Sequence, residues 1–318
     1  MKKKYFFLFL LLLSVQFFLP RYLPADPFLF LASDGSDVVS YTEEEIMKYK
    51  EYYGLHKPLL EQYFSYIFGI LRGDLGYSIY FKEKVMSLIL KRFIWTFGIV
   101  VFSMSISFIA GIFLGSFSAW KWETKIDDIL YQIMVILSEI PSFIIANIIL
   151  MFFIIRWRVL PTAGGMTPFI EVSLSWKFVF DLIKHAVLPS LTLSLLRLPD
   201  FYFISRASMI QELQKKYVET AEAKSLSSYV ILWKHCFPNA MNPILTRFLL
   251  SMQMMFNASL IVENVFRYPG IGKLIRDAVY YRDYLLLQGI FFMMTALILG
   301  LSLLGENYYC YMEKRRKL

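Results

Sequence analysis

Six apolar stretches constrain this chain more than any other feature. A helix crossing the roughly 30 Å hydrocarbon layer of a bilayer needs about 20 mostly apolar residues. Stretches of that kind lie at about Tyr5–Leu23, Phe93–Ala119, Ile129–Ile155, Phe178–Leu198, Ile244–Val262 and Tyr284–Asn307. The fourth is the weakest, because it contains Asp181, Lys184 and His185. The expected fold class is therefore all-α: a polytopic membrane protein with six transmembrane helices. Composition agrees, since only 18% of residues are charged against about 25% in soluble domains. A water-soluble surface of this size needs more charge than that. The net charge of +8 does not point to nucleic acid, because the basic residues flank apolar runs, where lipid headgroups attract them.

The first stretch follows three lysines, Lys2 to Lys4, a pattern shared with secretory signal peptides. The sequence after it, FFLPRYLPADP, offers no small-x-small cleavage site, and the apolar run reaches spanning length by Leu23. The expected organisation is a first transmembrane helix over 1–25, an extracytoplasmic cap over 26–92, and a core of five further helices over 93–318. A long polar insertion over 199–242, helix-compatible and basic, interrupts that core. Positive charge at the N-terminus, in this insertion and in the tail Lys314–Lys317 favours both termini inside by the positive-inside rule. Arg267, Lys273, Arg276 and Arg282 argue the other way, so charge alone leaves the orientation open. Cys236 and Cys310 form neither a metal-ligand spacing nor a disulfide framework, and His56, His185 and His235 are scattered.

The insertion contains YVETAEAKSLSSYVILWKHCFPNAMNPIL, Tyr217–Leu245. It resembles the EAA loop of binding-protein-dependent ABC importer permeases, in the dipeptide, oligopeptide and nickel branch. Glu219, Ala221, Glu222, Ala223 and Lys224 fall in the acidic-alanine part, Ser225 stands at the usual glycine, and Pro238 falls where the closing proline is expected, terminating the segment. If that glycine adopts a left-handed backbone, serine is modestly strained there. Six more stretches are similar to the family in the same order: LPADP (Leu23–Pro27), YGLHKPLLEQY (Tyr53–Tyr63), LRGDLGYS (Leu71–Ser78), HAVLPSLTLSL (His185–Leu195), SRASMIQEL (Ser205–Leu213) and VENVFRYPGIGKLIRDAVYYRDY (Val262–Tyr284).

The resemblance implies a type I ABC importer permease fold in the bacterial cytoplasmic membrane, with both termini cytoplasmic. It implies a second homologous permease, two ATP-binding-cassette ATPase subunits docked on the EAA segment, and an extracytoplasmic solute-binding protein. Transport of peptides, nickel or similar solutes would proceed by alternating access. The chain itself would need no cofactor, because ATP is used by partner subunits. A helix at the EAA segment makes mechanical sense: a rigid element transmits displacement better than a loop. A solvated amphipathic helix held by i,i+4 pairs is the plainer account of the same residues.

The nearest approach to a phosphate-binding loop, PGIGKL (Pro269–Leu274), has Arg267 at the first glycine position and Leu274 in place of Ser or Thr, so it lacks the G-x4-G-K-[ST] pattern. Within the apolar stretches, Gly111 and Gly115 have the small-xxx-small spacing that lets helices approach closely. Pro141 is expected to kink the third helix. Glu139 is an intramembrane carboxylate, which marks a translocation path by default. It could instead stay protonated or bond to Ser138 or Asn147. Two other functional classes are weighed against the importer. An ion-coupled secondary transporter calls for inverted repeats with broken helices in both halves, and a membrane enzyme calls for clustered His, Asp or Glu. Neither pattern is present in the sequence.

Overall fold

The computed structural model describes residues 2–18, 44, 47–48, 51, 54, 56–156, 159–171 and 175–317. The LPADP stretch and most of TEEEIMKYKEYYGL (Thr42–Leu55) lie outside them. The described residues are almost all helical, with a single isolated bridge, Tyr77 to Lys84. In chain order the helices are α1 (Lys2–Phe18), α2 (Leu59–Leu71), α3 (Val85–Trp120), α4 (Lys125–Glu139), α5 (Ser142–Ile155), α6 (Trp176–Leu213), α7 (Lys216–Ala223), α8 (Ser228–Val265), α9 (Ile271–Tyr280) and α10 (Tyr284–Lys317).

Four of these, α3, α6, α8 and α10, are long and apolar enough to cross a membrane, and α4 with α5 makes a fifth if the pair is one span. The helices outrun the apolar stretches. α6 continues through Arg206 to Leu213 and α8 starts at Ser228, so only Gln214–Ser227 lies outside the long helices where 199–242 was expected. Pro141 produces more than a kink. Ile140 takes an extended backbone (φ −80°, ψ 121°), as a residue before proline prefers, and α4 and α5 diverge by 104° across it.

The chain divides into two compact units. The first holds residues 1–94 and 273–299. Here α1 packs on the first half of α10: the Gln288 amide donates to the Phe17 carbonyl at 3.2 Å, and the Gln16 amide donates to Thr295. Phe17 is fully buried against the rings of Tyr63 and Tyr66. Two of the motif stretches meet in this unit. The Asp283 carboxylate, buried at the start of α10, accepts from Ser78 Oγ at 2.5 Å, from the Tyr80 amide at 3.1 Å and from the Leu286 amide at 3.0 Å. The last bond makes Asp283 the N-cap of α10; the other two hold the RGDLGYS turn against it. Gly73 and Gly76 have φ of +74° and +79°, which is why that turn uses glycine.

The second unit holds residues 95–272 and 300–318. Its centre is α6 against α8, with α4 and α5 packed on α6. Gly111 and Gly115 bring the α3 backbone onto α6. A Cβ on Gly111 would overlap that of Phe201, and one on Gly115 would lie 2.5 Å from the Tyr202 carbonyl oxygen and 2.8 Å from Ser205 Cβ. Hydroxyls stitch the same seam: Ser107 Oγ donates to the Ser194 carbonyl at 2.9 Å, and Ser205 Oγ to that of Ile112 at 3.2 Å. At the start of α9, Gly272 N–H donates to Glu263 Oε2 at 2.6 Å and Ile271 N–H to Thr96 Oγ1 at 2.8 Å. These PGIGKL amides point into the protein's own side chains, whereas a phosphate loop turns its amides toward the ligand.

Candidate functional site

The site is built on α7 and the helix ends that carry it. α6 stops at Leu213, and Glu212 in its last turn is buried. That carboxylate accepts from Lys215 Nζ at 2.6 Å and from Tyr217 Oη at 2.9 Å, tying the entry of α7 to the exit of α6. Burial pushes the Tyr217 phenol well above its ordinary pKa, so it remains a donor to Glu212.

α7 then buries one face. Val218 and Ala221, three residues apart and so stacked on the same side, enter a cluster with Ala119, Met209, Ile231, Leu232, Cys236 and Ala240. The opposite face, Glu219, Thr220, Glu222, Ala223 and Lys224, is exposed. Ala221 thus belongs to this chain's own core, and the exposed surface of the helix end is Glu219, Thr220, Glu222, Ala223 and Lys224.

The helix ends in a Schellman motif. Ser225 has φ +57°, its N–H donates to the Glu222 carbonyl at 2.8 Å, and the Leu226 N–H donates to that of Ala221 at 3.3 Å. The family's glycine position is therefore left-handed here, occupied by a serine at some steric cost. Pro238 does not terminate this helix. It lies in the first turn of the α-helical stretch that begins at Phe237, inside α8. The wider π-type winding of Ile231–Cys236 just before it sits where a proline ring would otherwise meet the preceding turn.

A buried ion pair fixes the platform beneath. Asp127, 1% exposed in the first turn of α4, accepts from Arg206 Nε at 2.7 Å and from Arg206 Nη2 at 2.6 Å. Ser118 of α3 also donates to Asp127 and lies 2.6 Å from Tyr202 Oη, and the guanidinium rests 5.2 Å from the centre of the Tyr131 ring. This clasp joins α3, α4 and α6 less than two turns above Glu212. Sequence reasoning singled out neither Asp127 nor Glu212. The only signal was the SRASMIQEL stretch, whose Arg206 and Glu212 are its two ionisable residues.

Glu139 is the last residue of α4, exposed at the break before Pro141. Its two candidate partners turn elsewhere: Ser138 donates to the Val135 carbonyl at 2.7 Å and the Asn147 amide to that of Phe143 at 2.7 Å.

Comparison with known proteins places this architecture. The family described as "Binding-protein-dependent transport system inner membrane component" matches residues 111–318. The "Probable peptide ABC transporter permease protein y4tP" of Sinorhizobium fredii is 31% identical over 299 residues, covering 94% of this chain and 92% of the relative. The "Glutathione transport system permease protein GsiC" of Pectobacterium atrosepticum is 30% identical over 305 residues, covering 94% and 92%. Among solved structures, the MetNI methionine ABC transporter in inward-facing conformations aligns with a TM-score of 0.56 at 13% identity, over 70% of this chain and 94% of that one. At that identity the likeness is one of fold. With the EAA-like helix, the long apolar helices and relatives matching along most of their length, the chain belongs to the family of inner membrane components of binding-protein-dependent transport systems, and is a permease component of an ABC importer.

Proposed function

We propose that this permease imports peptides and is driven through α7 by a separate ATPase. The observation that carries this is the two-faced construction of α7. Val218 and Ala221 anchor it in the chain's own core, while Glu219, Glu222, Ala223 and Lys224 stand free. A displacement applied to that outer face passes into α6 and α8 through the Glu212 bonds and the buried cluster. Two relatives are named for peptide and glutathione transport, which supports a peptide-like solute over nickel.

In the assembly we propose, a second homologous permease completes the path, two ATPase subunits seat α7 and its counterpart, and a solute-binding protein delivers solute from outside. α1 and the α4–α5 pair complete six spans with both termini cytoplasmic. ATP binding closes the ATPase pair and swings the coupling helices, alternating access between the two sides. Glu139, at the broken helix, is placed on that path.

Co-purification in detergent with candidate ATPase subunits tests this proposal. The native chain should retain an ATPase, while Glu219→Arg and Ala223→Trp, both on the exposed face, should release it with the permease still folded. A native chain that retains no ATPase under conditions where a known permease does would overturn the assignment.

A further inference from the structure

Midway along α6 and α8, three charged side chains form a cluster that the coupling machinery does not use. Asp200 accepts from Arg197 Nη1 at 3.0 Å on its own helix and from Arg247 Nη2 at 2.8 Å on α8. Two guanidiniums thus share one carboxylate. The Arg197 Nε is buried and meets no acceptor among the described residues, and Arg197 Nη1 also lies 3.8 Å from the Met254 sulfur.

The placement of this cluster makes it costly. Arg247 is the only charged residue between His235 and Glu263. At 1.5 Å per residue it stands roughly 20 Å from Lys234 and roughly 24 Å from Glu263 along the helix. On α6, Arg197 and Asp200 are the only charged residues between His185 and Arg206. Arg197 and Asp200 lie where the apolar stretch of α6 ends, and Arg247 three residues into that of α8, with uncharged helix on either side of the cluster.

Arg247 nonetheless keeps 39% of its side chain exposed. It shares an outward stripe on α8 with Leu250, Met254 and Asn257, at spacings of three and four residues. A guanidinium turned to lipid within an apolar helix is unfavourable. A stripe carrying Arg247 and Asn257 fits an aqueous path better than lipid. The excess positive charge calls for an anion, and the planar fork of arginine matches a carboxylate in two-point geometry.

We infer that Arg197, Asp200 and Arg247 form a carboxylate subsite within the translocation path, selecting solutes that bear a free acid group. Resting on the proposed import of peptides, it assigns their terminal carboxylate a place between α6 and α8. Asp200 holds both guanidiniums in position and reduces their combined charge, so that the anion is attracted but released onward.

Charge-selective labelling tests this. Met254→Cys puts a thiol beside Arg197, and its modification is timed in membranes containing the assembled transporter. An anionic methanethiosulfonate reagent (ethylsulfonate) is compared with a cationic one (ethyltrimethylammonium), and the unsubstituted chain gives the background from Cys236 and Cys310. With each rate divided by that reagent's rate toward a free thiol in solution, the anionic reagent should react about tenfold faster or more, the factor that 1.4 kcal/mol of favourable potential supplies. Arg247→Gln should bring the ratio close to one, Arg247→Lys should keep it, and Asp200→Asn should raise it.

Equal rates for the two reagents, or a ratio indifferent to residue 247, would overturn the subsite. So would a thiol that neither reagent reaches, which would place the cluster against the second permease or lipid. None of these results touches the co-purification of ATPase, so the subsite can fail while the importer assignment stands.

Discussion

Removing the charge of Asp127 should unfasten the platform on which α7, the proposed coupling helix, rests. Asp127→Asn keeps the side-chain shape but leaves Arg206 without its carboxylate and Ser118 without its acceptor. Breaking a buried pair by removing one partner costs about 3–5 kcal/mol, because an uncompensated charge stays inside. Arg206 is 20% exposed and lies over the Tyr131 ring, so water and ring together soften the loss toward the lower bound, about 3 kcal/mol. At about 2 °C per kcal/mol for a large chain, the melting temperature should fall by roughly 6 °C. Replacing both partners by apolar residues, Asp127→Leu with Arg206→Met, should recover most of that fall, since well-packed apolar substitutes are often neutral. Tryptophan fluorescence during a thermal ramp in detergent reads both changes, and ATPase coupling in the assembled transporter should fall with Asp127→Asn. A single variant melting within about 2 °C of native, or a double variant no better than the single, would refute this account of the clasp.

Three further outcomes follow from the geometry. Gly115→Leu should prevent a stable fold, because even a Cβ there meets the Tyr202 carbonyl at 2.5 Å; Gly98→Ala, with open space around it, should be silent in the same detergent-stability assay. Glu139→Gln should impair solute uptake without loss of assembly if Glu139 serves the path, and normal uptake by Glu139→Leu would exclude that role. The raised Tyr217 pKa means that folding favours the protonated phenol. Its contribution is fully present below the unfolded value of about 10 and is lost as pH rises toward the folded one. Tyr217→Phe should therefore lose about 1 kcal/mol at neutral pH and show a shallower alkaline decline in melting temperature.

Hydropathy located the long helices but not their ends. Apolar content measures contact with hydrocarbon, whereas α6 continues past Leu198 because Arg206 and Glu212 find partners on α4 and α7. Pro141 announced a disruption, but its extent depended on Ile140 adopting an extended backbone, which a neighbouring helix could have overridden. The EAA-like segment was legible as a helix with a distinct terminus, and the left-handed Ser225 follows from the glycine it replaces. The faces of α7 were less so: at this length Ala221 and Ala223 look alike, and only the packing of Ile231, Leu232 and Cys236 decides which is buried. The pairs Asp127–Arg206, Asp200–Arg247 and Ser78–Asp283 left no periodic trace, being 79, 47 and 205 residues apart. Arg247 alone gave a hint, as a single charge inside an otherwise uncharged stretch.

In the proposed assembly α7 offers one face to an ATPase and keeps the other for its own chain. Single cysteines at Ala223 and at Ala221, treated with a short thiol cross-linker in the assembled transporter, distinguish the two faces. Ala223→Cys should join to the ATPase subunit while Ala221→Cys, buried against Ile231 and Leu232, should not. Cross-linking from Ala221→Cys, or none from Ala223→Cys and Glu222→Cys alike, would contradict the assignment of α7 as the coupling helix.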